Sequence, residues 1–250
     1  MRTQFTILCA LTAVSLFAQE GPAHEPIQAT PPPAQVSKPK LSLDRDPADL
    51  KVYRDANANL PPPATGENRV VFMGDSITEG WGKSFDTLFA GKPYICRGIS
   101  GETTQQMLIR FRPDVIALQP KVVVILAGTN DIAGNNGLAT QKMIEDNIAS
   151  MIDLAQSHKI RVVLVSVLPA YEYRWQPGME PAEKIVSLNA WLKEYAAARA
   201  VVFVDCHTPM SDEKHAMKKD LSPDGVHPNA AGFALMSPLV EAGIAQALKQ

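Results

Sequence analysis

Five short apolar runs, rich in β-branched residues, set the tightest limit on how this chain can fold. They lie at residues 70–73, 93–96, 122–126, 162–167 and 201–204. None alternates apolar with polar. A strand with one wet face alternates, whereas a strand covered on both faces reads as a continuous run. Between the runs the periodicity changes. Residues 139–158 carry Met143, Ile144, Ile148, Met151 and Ile152 at helical spacing, and 181–199 carry Ile185, Leu188, Leu192 and Tyr195. Residues 103–112 and 230–248 read the same way. Parallel strands need crossovers long enough to hold a helix. The pattern therefore predicts an α/β fold, a five-stranded parallel sheet with helices on both faces. No internal repeat is visible.

The chain before this pattern reads differently. Residues 1–20, MRTQFTILCALTAVSLFAQE, pair a positive start at Arg2 with an apolar run ending at Ala18. That is the layout of a signal peptide over 1–18, and the run is shorter than the ~20 residues of a membrane span. Cys9 has no small residue before it, which argues against a lipid-modified cysteine. Export to the periplasm or the medium is the expectation. Residues 19–45 are rich in Pro, Ala and Gln and read as a disordered linker. The folded domain is expected over 46–250. It opens with Asp46-Pro47 as a cap and first position of a short amphipathic helix carrying Leu50 and Tyr53, ending near the prolines at 61–63. No other segment is long and apolar enough to span a bilayer. The net charge of −2 gives no basic excess, so no nucleic-acid partner is expected. Cys96 and Cys206 both end apolar runs. In an exported protein they either pair or remain buried thiols.

Ligands of open parallel sheets bind beyond the carboxyl ends of the strands. The residues just past each run are therefore informative. After the first comes Gly74-Asp75-Ser76; after the second, Gly98-Ile99-Ser100-Gly101; after the third, Gly128-Thr129-Asn130-Asp131; after the fourth, Leu168-Pro169-Ala170-Tyr171. Near the end stands Asp224-Gly225-Val226-His227. Each cluster has an ordinary reading. Gly-Asp-Ser makes a turn with a cap, Asp-Gly-Val-His-Pro a surface turn, Gly101 a turn glycine, and Asn130 a cap for the next segment. Together they hold what acyl transfer requires. Ser76 is a candidate nucleophile, His227 a base, Asp224 a group to orient its ring, and Gly101 and Asn130 offer donors for a developing oxyanion.

These residues also carry a resemblance. GDSIT, GISGET, GTND and DGVHP occur in the order and setting of the four sequence blocks of the SGNH (GDSL) hydrolases. The chain resembles that family over roughly residues 65–248. The resemblance implies a three-layer α/β/α flavodoxin-like sandwich and ester hydrolysis through an acyl-serine. It makes Ser76 the nucleophile, His227 the general base and Asp224 its orienting group. The oxyanion donors become the Ser76 and Gly101 amides and the Asn130 side chain. No metal or cofactor is implied. Many members carry Asn at the position of Cys96. The family's strand order puts the second and fifth strands on opposite edges, too far apart for Cys96 to bond Cys206.

Two rival motifs fail. A phosphate-binding loop needs glycine five residues before the glycine of Gly82-Lys83-Ser84, and Ile77 stands there. No Gly-x-Ser-x-Gly elbow occurs. Of the five histidines only His227 has a mechanistic setting, and no metal-ligand spacing appears. Asp75, Trp81 and Tyr171 are expected to line the substrate pocket. Tyr171, Tyr173 and Trp175 either meet substrate or cover the edge of the core. The rim aromatics and the lack of a long apolar lid favour a short acyl group, such as acetyl, on a carbohydrate or small-molecule substrate. The rivals are a lysophospholipase or acetylhydrolase-type lipolytic enzyme and a non-catalytic protein binding acylated glycans. The presence of every proposed catalytic residue weighs against the second.

Overall fold

The computed structural model describes residues 46–250. The expected signal peptide at 1–18 and linker at 19–45 lie outside them. In chain order the elements are α1 (Arg54–Asn59), β1 (Val70–Gly74), α2 (Ser76–Gly82), α3 (Phe85–Leu88), β2 (Tyr94–Gly98), α4 (Thr104–Asp114), β3 (Val122–Leu126) and α5 (Thr129–Ala133). Next along the chain are α6 (Gln141–Ser157), β4 (Arg161–Val165), α7 (Pro181–Ala198), β5 (Val202–Val204), α8 (His207–Met210) and α9 (Ala230–Ala247). The five strands form one sheet in the order β2-β1-β3-β4-β5, every pair parallel.

Successive side chains of a strand point to opposite faces, and here each face meets its own helix layer. Val71, Met73, Val123 and Ile125 pack with Met107 and Phe111 of α4, Ile148 and Met151 of α6 and Leu188 of α7. Val70, Phe72, Val122 and Val124 pack with Trp81 of α2, Phe85 of α3 and Met236 and Val240 of α9. The result is a three-layer α/β/α sandwich. Both faces of the central strands are buried, which is why their sequences do not alternate.

Some boundaries differ from the sequence expectation. The helix expected from Asp46 begins only at Arg54. Asp46 does accept from the Leu50 and Lys51 amides, but Asp49 takes φ +50°, and one left-handed residue stops a helix from propagating. α1 buries none of its own residues, so it is not amphipathic. Tyr53, just before it, does reach inward, and its hydroxyl donates to the Gly98 carbonyl. β2 runs on through Arg97 and Gly98, which stay in register with Met73 and Gly74. Among the described residues one helix, α9, is long and apolar enough to cross a membrane. It packs against β3, β4 and β5 as a core helix. Cys96 and Cys206 are free thiols at opposite edges of the sheet.

Candidate active site

β1 ends at Gly74, and the chain turns at once into α2. Asp75 is the N-cap, its Oδ1 accepting from the Ile77 amide at 2.9 Å. Ser76 is thus the first residue of the helix. The turn is tight because glycine stands where strand and helix touch. A Cβ on Gly98 would lie 2.2 Å from the Glu79 nitrogen, and one on Gly74 2.1 Å from Thr78 Oγ1. Asp75 is buried and faces its own helix, so it caps rather than lines the pocket. Burial lifts its carboxyl to about 7, against the pull of the Ile77 amide.

The partner of Ser76 comes from residues 211–229, which join α8 to α9 without helix or extended strand. There a compact knot of bonds fixes one imidazole. Asp224 Oδ1 accepts from the Val226 amide at 2.9 Å and the His227 amide at 2.8 Å, while Oδ2 meets His227 Nδ1 at 2.7 Å. Ser222 donates to the His227 carbonyl at 2.7 Å and accepts from the Gly225 amide at 2.9 Å. Gly225 takes φ +83°, which the turn requires. Partial burial pushes the Asp224 carboxyl up, but the bonds from the His227 amide and ring and the Val226 amide outweigh it and hold the group at about 2. A carboxylate on Nδ1 selects the Nδ1–H tautomer and leaves Nε2 as an acceptor. His227 Nε2 lies 2.9 Å from Ser76 Oγ.

The wall opposite the serine is a set of amides. Gly101 takes φ +81°, and neither its N–H nor that of Ser76 donates to another group among the described residues. Asn130 is not a cap. Gly128 caps α5, and Asn130 lies within the helix. Its Nδ2 donates one hydrogen to the Glu102 carbonyl at 3.0 Å, and its Oδ1 accepts from Asn135 Nδ2 at 2.8 Å. The second Nδ2 hydrogen has no acceptor among the described residues and can meet a ligand. Trp175 Nε1 donates to Asn135 Oδ1 at 2.9 Å. Ser76, Ser100, Gly101, Thr129, Asn130, Asn135, Trp175, Val226 and His227 enclose a pocket of about 300 Å³.

Ser76, Gly101, Asn130, Asp224 and His227 therefore meet at one rim. The other expectations need correction. Trp81 is fully buried in an aromatic cluster, stacked on Phe233 with its indole N–H on Ser237 Oγ at 3.0 Å. α2 turns that residue down to the sheet, while Ser76 faces the rim. Tyr171 lines a neighbouring groove along Asp224 and Lys219 instead of the serine pocket. Tyr173 is buried, bonded to Thr129 Oγ1 at 2.7 Å. Trp175, 43% exposed, is the rim aromatic that reaches the pocket, its ring centroid 6.3 Å from that of His227. Asn135 escaped sequence reading altogether, although it opens an Asn-Asn pair just past Gly134, five residues beyond Asn130. A larger hollow of about 460 Å³ between α7 and α8 holds His207 and His215 but none of these groups.

Residues 72–235 match the GDSL-like lipase/acylhydrolase family. A solved GDSL-like lipase of Bacteroides thetaiotaomicron is 46% identical with a TM-score of 0.78, covering 80% of this chain and 98% of that one. A solved protein of Bacteroides fragilis, provisionally an acylhydrolase, is 44% identical with a TM-score of 0.80, covering 82% and 100%. An acetylxylan esterase of Xylanibacter ruminicola is 25% identical over 223 residues, 74% of this chain and 45% of that protein. YqeF, an uncharacterized lipoprotein of Bacillus subtilis, is 31% identical over 125 residues, 43% of this chain and 51% of that one. The chain thus spans about half the length of these last two relatives. With the family match covering most of the parallel sheet and both sides of the serine–histidine pocket, the chain belongs to the GDSL-like lipase/acylhydrolase family.

Proposed function

We propose that the chain hydrolyses carboxylic esters through an acyl-serine, with Ser76 as nucleophile, His227 as general base and Asp224 as its orienting group. The observation that carries this reading is the 2.9 Å approach of His227 Nε2 to Ser76 Oγ, with the Asp224 carboxylate on Nδ1. The imidazole takes the hydroxyl proton as Oγ attacks the ester carbonyl. The oxygen that gains charge is met by the Ser76 and Gly101 amides and the Asn130 Nδ2. Collapse expels the alcohol, which leaves with the proton from His227. Water, deprotonated by the same ring, then releases the acid and restores Ser76.

A short acyl group suits the pocket, which is small and walled by Trp175. Acetyl on a carbohydrate or small molecule is the proposed substrate class, and the acetylxylan esterase relative supports it. Export, to the periplasm or the medium, is proposed from the first 18 residues, and the lipoprotein relative agrees with it. The test is a panel of chromogenic esters from acetyl to octanoyl, with acetylated xylooligosaccharides beside them. Acetyl esters should give the highest kcat/KM. Ser76→Ala should lower kcat by ~10³-fold or more at unchanged Tm. A folded Ser76→Ala protein with wild-type turnover would refute the nucleophile, and a preference for octanoyl the acyl class.

A further inference from the structure

Beneath the pocket floor lies a charged pair for which acyl transfer has no direct use. Arg110, on α4, is fully buried, and Glu102 is 1% exposed. The guanidinium has no free arm. Its Nε donates to Glu102 Oε2 at 2.5 Å, its Nη1 to Asp114 Oδ2 at 3.1 Å and its Nη2 to the Gly74 carbonyl at 3.0 Å. Glu102 Oε1 is buried without a partner among the described residues. Taking such groups out of water is costly, and apolar residues of similar volume often stabilise a fold equally well. Stability alone is a weak reason for this pair to be here.

Its connections give a better one. The Gly74 carbonyl, two residues before Ser76, accepts from Arg110 and also from the Ile99 amide at 3.1 Å. It is the joint between the loop that carries Ser76 and the loop that carries Gly101. Glu102 directly follows Gly101, and its carbonyl accepts from Asn130 Nδ2 at 3.0 Å. Glu102 is therefore held at both ends, its carboxylate by Arg110 and its carbonyl by Asn130. The backbone between those ends carries the peptide next to the Gly101 amide. The Ser76 amide, the Gly101 amide and the Asn130 amide all lie a link or two from one rigid fork.

We infer that Glu102, clamped by Arg110, is a positioning residue that sets the three oxyanion donors at a common distance from the reacting carbonyl oxygen. This rests on the acyl-serine mechanism proposed for Ser76. Neither side chain touches substrate. Their effect belongs to the transition state, because a neutral ester oxygen demands less of the donors than an oxyanion does.

The experiment is a mutant cycle on the acetyl ester, with kcat, KM and Tm measured for Glu102→Gln, Asn130→Ala and the double variant. Glu102→Gln preserves shape and an acceptor for Arg110 but removes the charge. It should lower kcat by ~10-fold and leave KM within about threefold, since displacing donors by a fraction of an ångström loses transition-state contacts first. In the Asn130→Ala background the same substitution should cost clearly less than it does alone, because one of the three donors it aligns is already gone. A merely structural pair would give the same loss in both backgrounds. Arg110→Lys, which keeps the charge but cannot reach three acceptors at once, should resemble Glu102→Gln and replaces it if that variant does not fold. The inference is overturned by a kcat within threefold of wild type, by equal losses in the two backgrounds, or by failure of both variants to fold. Loss of the acyl-serine mechanism itself looks different: turnover would not depend on Ser76 at all.

Discussion

Two opposing effects meet at Asp224. Partial burial disfavours its charge, and three donors from Val226 and His227 favour it more, so the folded carboxyl sits at about 2, below its ordinary 3.8. A carboxyl lowered on folding contributes stability wherever both states are ionised, above about pH 4. As pH falls, the unfolded chain takes up its proton first, and the contribution is gone below about pH 2. The Tm advantage of the wild type over Asp224→Asn should therefore shrink steadily from about pH 4 to 2. An advantage that grows over that range would mean the carboxylate is not the stabilised form. The same residues show what a sequence can and cannot disclose. Ser76, Gly101, Asn130, Asp224 and His227 could be grouped because each follows an apolar run or a turn signal. Trp81 could not be placed, because the side of α2 it occupies depends on where the helix starts and how it lies on the sheet. Glu102 and Arg110 went unnoticed because a lone charge beside an amphipathic helix reads as solvated face. Only the packed fold shows that α4 buries them.

At the scale of the element, α2 is the piece on which the site depends. It lies against β1 and β2 with backbone, not side chain, at the contact. A Cβ on Gly98 would meet the Glu79 nitrogen, the Asp75 oxygen and the Thr78 carbonyl carbon, all backbone and unable to swing aside. Gly98→Ala should destabilise by ~1–3 kcal/mol or more, as overpacking does, and lower Tm by several degrees. It should also lower kcat, because relief of the clash moves the helix whose first residue is Ser76. Gly80 provides the control. It lies in the same helix, and a Cβ there would meet only Phe233 at 3.5 Å, an ordinary contact. Gly80→Ala should leave Tm unchanged or raise it, since alanine favours a helix interior by ~0.5–1 kcal/mol. Equal Tm changes in the two variants would refute the seating of α2. The glycines were visible in the sequence as punctuation. That two of them mark the contact between a strand and a helix was not, because that depends on the distance between elements.

For the whole molecule, the continuous apolar runs were enough to read a buried parallel sheet with helices on both sides. The strand order is less local. β1 is flanked by β2 on one side and β3 on the other, so the chain starts near the middle and grows outward in both directions. Nothing in one run states which neighbour it will choose. The same topology separates the thiols and lets the clusters after β1, β2 and β3 open on one rim.

The irregular segment from 211 to 229 has a consequence in the order in which the molecule comes apart. Ser76 and His227 are 151 residues apart in sequence. The serine stands on a helix seated against two strands, while the histidine is fixed by a few local bonds around Ser222 and Asp224. Segments held by few ladder bonds open at a lower free energy than core strands. On the proposed mechanism, turnover reports the docking of this segment as well as the seating of α2. In rising urea, turnover should fall before far-ultraviolet circular dichroism does, and coincident transitions would show that the segment and the sheet open as one unit. During synthesis the corollary of the proposed mechanism is simple: Ser76 is made well before His227, and a partial chain lacking residue 227 should not turn over an ester.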